Sequence, residues 1–160
     1  MTIRDYTSYS ETEILSLYSA VGWTAYTSDP DSLKRGFENS LLTLAAYVGG
    51  ALIGLIRAVG DGATAVLIQD ILVHPAHQRR GVGSALVKEL LARFGNVRQI
   101  QLVTDNTEKT VAFYNSLGFK ELDALGCRGF SSSLPFRYPG REWVHPGYPY
   151  FLRLRMHGPV

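Results

Sequence analysis

The 160-residue sequence predicts an α+β fold: a mixed, mostly antiparallel sheet with a central β-α-β crossover and flanking helices. Three observations carry this expectation. Residues 41–73 read as three strands in a row, joined by Gly49-Gly50 and by the Gly60-Asp61-Gly62 turn, which makes an antiparallel meander. Residues 81–94 then place Val82, Leu86, Leu90 and Leu91 at helical spacing. The β-branched run 97–104 follows, and a strand–helix–strand order implies a parallel pair closed by a right-handed crossover.

Each element has its own local signal. Ile3 to Tyr9 reads as a first strand. Ser10 and Glu13 have capping-box spacing and open a helix carrying Ile14, Leu15, Tyr18 and Val21. Asp29-Pro30 is an N-cap followed by proline at the first helical position, so a second helix runs to about Asn39 with Leu33 and Phe37 inward. Leu41–Val48, Ala51–Val59 and Thr64–Val73 are the meander strands. The helix 81–94 ends at Gly95, and Thr107 to Leu117 reads as a last long helix with Gly118 past its end. Phe119 to Leu122 is expected to begin another strand. Beyond Gly126 the chain is rich in proline, glycine and aromatics, an ordered loop by composition, before Phe151–Met156 alternates as a final strand. One domain is expected over residues 1–160, with 126–160 its least regular part.

Composition narrows the function. Apolar residues make up 46% and charged residues 19%, ordinary for a globular protein. A net charge of +2 lacks the dense basic stripe of a nucleic-acid binder. Cys127 is the only cysteine, which rules out an intramolecular disulfide and a multi-thiolate metal site. The four histidines form no paired ligand spacing on a helix, so no metal is expected. The polar N-terminus has no signal-peptide core, no apolar run reaches bilayer length, and a cytoplasmic location without membrane contact is expected.

The chemistry concentrates in "QRRGVGS", residues 78–84, at the mouth of the helix 81–94. The first amides of a helix lack intrahelical acceptors, and the helix dipole adds partial positive charge there. Gly81 and Gly83 would bare those amides, and Arg79 and Arg80 add formal charge, so the loop suits phosphate. A Walker loop would need a lysine after the second glycine, where Ser84 stands. A dinucleotide fingerprint would need a third glycine at Leu86.

Gln78-Arg79-Arg80-Gly81-Val82-Gly83 resembles the Q/R-x-x-G-x-G/A loop of the GCN5-related N-acetyltransferase (GNAT) family. "TEKTVAFYNSLGFKEL" is similar to that family's last helix, with Phe113-Tyr114 followed by Gly118-Phe119. The resemblance covers about residues 41–122. It implies acetyl-coenzyme A (acetyl-CoA) as cosubstrate, with its pyrophosphate on the amides of Gln78, Arg79, Arg80, Gly81, Val82, Gly83 and Ser84. It further implies that Ile71, Leu72 and Val73 end a strand that splays from residues 97–104 and pairs with the pantetheine arm. Phe113 and Asn106 join the coenzyme contacts; Asn106 lies one residue before the family's asparagine position, which is Thr107 here.

The same resemblance implies direct attack of an amine on the thioester, with the Val73 amide polarising its carbonyl and Tyr114 serving the leaving thiolate. For the base that frees the amine, strand alternation puts Asp70 on one face with Ile68 and Leu72, and Gln69 on the other with Leu67, Ile71 and Val73, unless a bulge intervenes. Asp70 is the candidate base; a structural ion pair with Arg57 is the alternative role. Trp23, Tyr26, Tyr138, Trp143 and Tyr148 are candidates to wall an acceptor pocket. The expected partner is a small-molecule amine, with a protein N-terminus or lysine, or a non-catalytic acyl-CoA-binding module, as alternatives. The resemblance also allows a homodimer paired through the tail strand, alongside a monomer.

Overall fold

A computed structural model describes residues 1–130. One five-stranded sheet forms the frame, in the order β1 (Thr2–Asp5), β2 (Leu42–Val48), β3 (Ala51–Gly60), β4 (Ala65–Val73), β5 (Gln99–Leu102). The first four strands pair antiparallel and β4–β5 is parallel. Between β1 and β2 lie α1 (Glu11–Ala20), the one-turn α2 (Thr24–Thr27) and α3 (Pro30–Glu38). The crossover helix is α4 (Val82–Arg93), and α5 (Glu108–Ser116) follows β5. The mixed α+β architecture is the one the sequence predicts.

Helix starts sit where side-chain oxygens can take orphan amides. Ser10 accepts from Glu13 N at 3.4 Å, Asp29 from Ser32 N at 3.1 Å, and Thr107 from Thr110 N at 3.2 Å. The two faces of the sheet bury separate clusters. Leu44, Ile56, Val66 and Ile68 pack under Val82, Leu86, Val87 and Leu90 of α4. Leu55 and Leu72 pack under Ile14, Leu17 and Tyr18 of α1 and Leu33 of α3.

Ile68 and Leu72 therefore face opposite ways, against simple alternation. The register explains it: Arg57 opposes Asp70, but the next residue, Ala58, opposes Ile68. Gln69 is an extra residue, a β-bulge, and it inverts the sidedness of β4 at that point. Asp70 shares a face with Leu72 and not with Ile68.

Some elements are shorter than expected. β1 stops at Asp5 because Tyr6, although its amide reaches Thr43 O, turns its ring into the α1–α3 cluster. β5 covers only Gln99–Leu102 of the expected 97–104. Phe119 to Leu122 forms no strand. The Phe119 amide closes onto Tyr114 O, its ring packs edge-on to Tyr114, and Leu122 O is taken by Leu125 and Cys127 in a short 3-10 turn. The expected strand Phe151–Met156 and the aromatic residues Tyr138, Trp143 and Tyr148 lie outside the described residues. No described helix is long and apolar enough to cross a membrane, and no group of three or more metal-ligating side chains occurs among the described residues.

Candidate active-site cleft

β4 and β5 part company in mid-sheet. They pair from Ala65↔Gln99 to Ile68↔Leu102, and β4 then runs on through Gln69 to Val73 with only β3 beside it. The splay opens a cleft of about 580 Å³ between β4, the start of α4, the end of β5 and α5. The backbone alternation aims this edge. His74 N donates to Ile53 O on the β3 side at 2.8 Å, so the preceding Val73 amide points to the open side. The Val73 carbonyl shares that side, and it accepts from Gln78 Nε2 at 3.0 Å. The amide is left as the exposed donor at the mouth of the splay.

The connection from β4 to α4 is tightly shaped. Pro75–His77 forms a 3-10 turn held by His74 Nδ1, which accepts from Ala76 N at 3.3 Å. Arg79 (φ 57°) and Gly81 (φ 81°) are both left-handed, and Gly81 caps α4. These two left-handed residues, two positions apart, bend the backbone sharply just before the first turn of α4. The first intrahelical bond runs from Ala85 N to Gly81 O, so the amides of Val82, Gly83 and Ser84 precede the ladder.

The two glycines serve different ends. A Cβ on Gly81 would meet nothing within 4 Å, so glycine is there for its left-handed backbone. A Cβ on Gly83 would lie 3.4 Å from the Phe113 ring and 3.7 Å from Val73 Cγ2. Gly83 thus lets the first turn of α4 close on α5 and β4, which is packing rather than access for a ligand.

The cleft gathers most of the residues the sequence singled out. Ile71, Val73, Gln78, Arg79 and Gly81 line it on the β4 side and in the loop. Val82, Gly83, Ser84, Phe113 and Tyr114 line the helical walls. Tyr114 is 8% exposed, with its ring held edge-on by Phe113 and Phe119. Four predicted residues stand outside the lining. Leu72 is buried against α1, because strand alternation turns it away. Arg80 and Asn106 are exposed but not part of the cleft wall, and Thr107 caps α5 instead.

Asp70 is the fourth, and its surroundings do not match an acceptor-side base. It is 2% exposed, on the α1–α3 face, and its Oδ2 accepts from both Arg57 Nε at 2.5 Å and Tyr18 OH at 2.9 Å. The alternative weighed from the sequence, an ion pair with Arg57, is the arrangement observed. Burial pulls the Arg57 guanidinium down, but the Asp70 carboxylate more than offsets this and leaves it above its ordinary value. Burial, reinforced by the same carboxylate, pushes the Tyr18 hydroxyl well above its usual range.

Sequence reasoning passed over Lys109 and Thr110 of α5 and Thr104 and Asp105 after β5, all of which line the cleft. The signal was available for Lys109: it follows the Thr107 cap by two residues, on the first turn of a helix opposite the arginine loop. Trp23 also lines the cleft and stacks on Tyr26, with ring centroids 5.6 Å apart and planes 24° from parallel.

Comparison with known proteins fits this geometry. The model of the acetyltransferase (GNAT) domain matches residues 39–121, just over half of the chain. A GNAT-family acetyltransferase structure from Streptococcus pneumoniae is 41% identical, covering 84% of this chain and 98% of that one, with a TM-score of 0.76. The chain belongs to the GNAT acetyltransferase family. Histone acetyltransferase TAP1 of Glycine max is 38% identical over 90 residues, 55% of this chain and 36% of that protein. Serotonin N-acetyltransferase 2, a chloroplastic protein of Oryza sativa subsp. japonica, is 32% identical over 107 residues, 63% of this chain and 52% of that protein. The chain spans between a third and about half of the length of these two relatives.

Proposed function

We propose that the protein transfers the acetyl group of acetyl-CoA directly to the primary amine of a small molecule bearing an aromatic or amphipathic body. The observation that carries this reading is the splay of β4 from β5, which leaves the edge of β4 through Val73 unpaired, with the Val73 amide directed into the gap and the bare amides of α4 beside it. An extended pantetheine arm fits the unpaired edge of β4 as an added strand. Arg79 and Lys109 supply positive charge where the pyrophosphate would meet the amides of Val82, Gly83 and Ser84. The residues present therefore fit the cosubstrate.

Acetyl-CoA supplies an activated acyl thioester. The chain's own part is to hold and polarise it. The Val73 N–H donates to the carbonyl oxygen as negative charge develops there, an interaction whose removal typically costs about 3–4 kcal/mol in such sites. Tyr114, rigidly packed at the cleft wall, donates its phenolic proton toward the leaving sulfur. The amine must lose a proton before attack. With Asp70 committed to Arg57 and Tyr18, water ordered at the cleft mouth beside Gln69 takes that part in this reading.

The aromatic acceptor follows from the wall opposite α5. Trp23 and Gln69 line the cleft, with Tyr26 stacked on Trp23, and the one carboxylate among the described lining residues is Asp105. The serotonin N-acetyltransferase name of the rice relative agrees with this reading, and the histone acetyltransferase name of the soybean relative supports a protein lysine as the competing acceptor.

The test is free-thiol release from acetyl-CoA with tryptamine, 2-phenylethylamine, spermidine and a histone H3 peptide as acceptors. Turnover with the aryl amines is expected, together with a loss of about 100-fold in kcat and little change in coenzyme affinity for Tyr114→Phe. Turnover with the peptide alone would move the acceptor to proteins. Tight acetyl-CoA binding by calorimetry without turnover on any acceptor would make the protein a coenzyme-binding module.

A further inference from the structure

Two adjacent residues of β4 face opposite sides of the sheet at the point where the cleft opens. Gln69 is the bulge residue, the first beyond the last β4–β5 pair, and it lines the cleft. Asp70 lies behind it, buried on the other face. Each is tied to the aromatic helices α1 and α2 by a separate contact. Asp70 Oδ2 holds the Tyr18 hydroxyl at 2.9 Å. The Gln69 side chain is close enough to draw the Tyr26 hydroxyl down, although burial and the Asp70 charge leave it raised overall.

Tyr18 joins the two contacts into a closed circuit. Its ring lies edge-on to Tyr26 at 5.5 Å and to Trp23 at 5.9 Å, and Trp23 stacks on Tyr26. Arg57 anchors the circuit from below. It donates Nε to Asp70 Oδ2, and Nη1 to Gly36 O at 3.0 Å and Ser40 Oγ at 3.2 Å, which fixes the end of α3 as well.

We propose that Asp70 is a positioning residue for the acceptor half of the site: through Tyr18 and the Gln69 bulge it sets the Trp23–Tyr26 wall against which the amine's ring system lies. This rests on the acetyltransferase reading above and adds the residues that determine its acceptor specificity. The physical reason is local. A bulge leaves its extra residue without a ladder partner, so its direction depends on what holds the neighbours. Here a buried, doubly donated carboxylate holds one neighbour, and the Tyr26 hydroxyl lies close to the bulge residue itself. A carboxylate whose accepting oxygen is engaged by a guanidinium and a phenol, off the cleft wall, is suited to fixing geometry rather than to moving the substrate's proton.

The variants are Tyr18→Phe, which keeps the ring packing and removes only the hydroxyl, and Asp70→Asn, which keeps an acceptor oxygen for Arg57 and Tyr18. Both are made in a Trp143→Phe background of the full chain, so that Trp23 is the single tryptophan. Three quantities are read: acrylamide quenching of Trp23, the KM of tryptamine against the KM of acetyl-CoA, and the pH profile of kcat.

Tyr18→Phe is expected to raise Trp23 quenching and to raise the tryptamine KM about fivefold, the loss of one hydrogen bond's worth of order, with the acetyl-CoA KM unchanged. Asp70→Asn, which leaves the buried Arg57 without its counter-charge, is expected to raise Trp23 quenching and the tryptamine KM at least as much as Tyr18→Phe and to keep the shape of the pH profile. Loss of the acidic limb of that profile in Asp70→Asn, with kcat down 100-fold or so, would make Asp70 the base and overturn the proposal. Unchanged Trp23 quenching in Tyr18→Phe would overturn it as well. Should tryptamine not be turned over by the background protein, the aryl-amine reading fails while the quenching result still decides whether Asp70 and Tyr18 set the wall.

Discussion

Gln78 Nε2 donates to the carbonyl of Val73 across five residues, at 3.0 Å, and so closes the β4–α4 connection into a braced loop. The bond does two things at once. It satisfies the Val73 carbonyl, which would otherwise present an acceptor beside the Val73 amide, and it sets where Arg79 and Gly81 begin their left-handed bends. Gln78→Ala should leave thermal stability within about 1 kcal/mol, because the side chain is exposed and the bond is single. Its effect should fall on the cleft: acetyl-CoA affinity by calorimetry is expected to drop about three- to tenfold. Gln78→Glu should be at least as poor, since a carboxylate cannot donate to the carbonyl and adds negative charge beside a phosphate site.

The two arginines of the loop are not equivalent. Arg79 lines the cleft, whereas Arg80 stands outside it. A charge-assisted hydrogen bond to phosphate contributes about 1.5–3 kcal/mol, so Arg79→Ala should weaken acetyl-CoA binding roughly 10- to 100-fold. Arg80→Ala should stay within about threefold at physiological salt, where exposed charges are largely screened. Titrations at two ionic strengths would check the pair; equal losses for both variants would mean that the loop closes around the ligand differently.

Gly54 shows how the sheet carries the active-site helix. It pairs with Val73, and a Cβ there would lie 2.9 Å from Leu72 O and 3.2 Å from Val82 Cγ1. The backbone carbonyl cannot give way without shifting β4, and Val82 begins α4. Gly54→Ala should therefore destabilise the fold by about 1–3 kcal/mol, the usual range for overpacking. It should also raise the acetyl-CoA dissociation constant, because the displaced elements are the two that form the cleft. Urea unfolding and calorimetry on the same preparation measure both.

Much of this arrangement is legible in the sequence because it is local. Capping residues Ser10, Asp29 and Thr107, the Gly49-Gly50 hairpin and the stripe of α4 act over a few residues, and each appears where its chemistry requires. The arginine–glycine loop is legible for the same reason. What alternation could not deliver was the sidedness of β4, because the Gln69 bulge depends on cross-strand register with β3. Asp70 thereby lies buried on the α1–α3 face, paired with Arg57, and not on the cleft wall. Phe119 to Leu122 looked like a strand by residue type, yet the packing of Phe119 on Tyr114 and the amide closure onto Tyr114 O fold it along α5 instead. Lys109 and Trp23 meet in one cleft although 86 positions separate them in the sequence, a proximity that only the folded chain displays.

Asp61 makes the β3–β4 turn sensitive to acid. Its Oδ1 accepts from the amides of Ala63 and Thr64 at 2.8 Å and Ala65 at 3.0 Å, and its Oδ2 accepts from Thr64 Oγ1 at 2.6 Å. These donors, the Ala65 amide foremost, favour the ionised form and hold the carboxyl well below the usual carboxylate range. The folded value thus lies below the unfolded one. The stabilisation it confers is complete above the ordinary carboxylate pKa and is lost as pH falls through the folded value. Asp61→Asn removes the charge while keeping an acceptor oxygen, so its melting temperature should lie below that of the native sequence at pH 7. The gap should narrow steadily between pH 4 and pH 2.5, as Asp61 of the unfolded chain takes up a proton that the folded carboxyl still resists. Melting curves of the two proteins across that range would show it, and a gap independent of pH would mean that the turn is held by its backbone shape and not by the charge on Asp61.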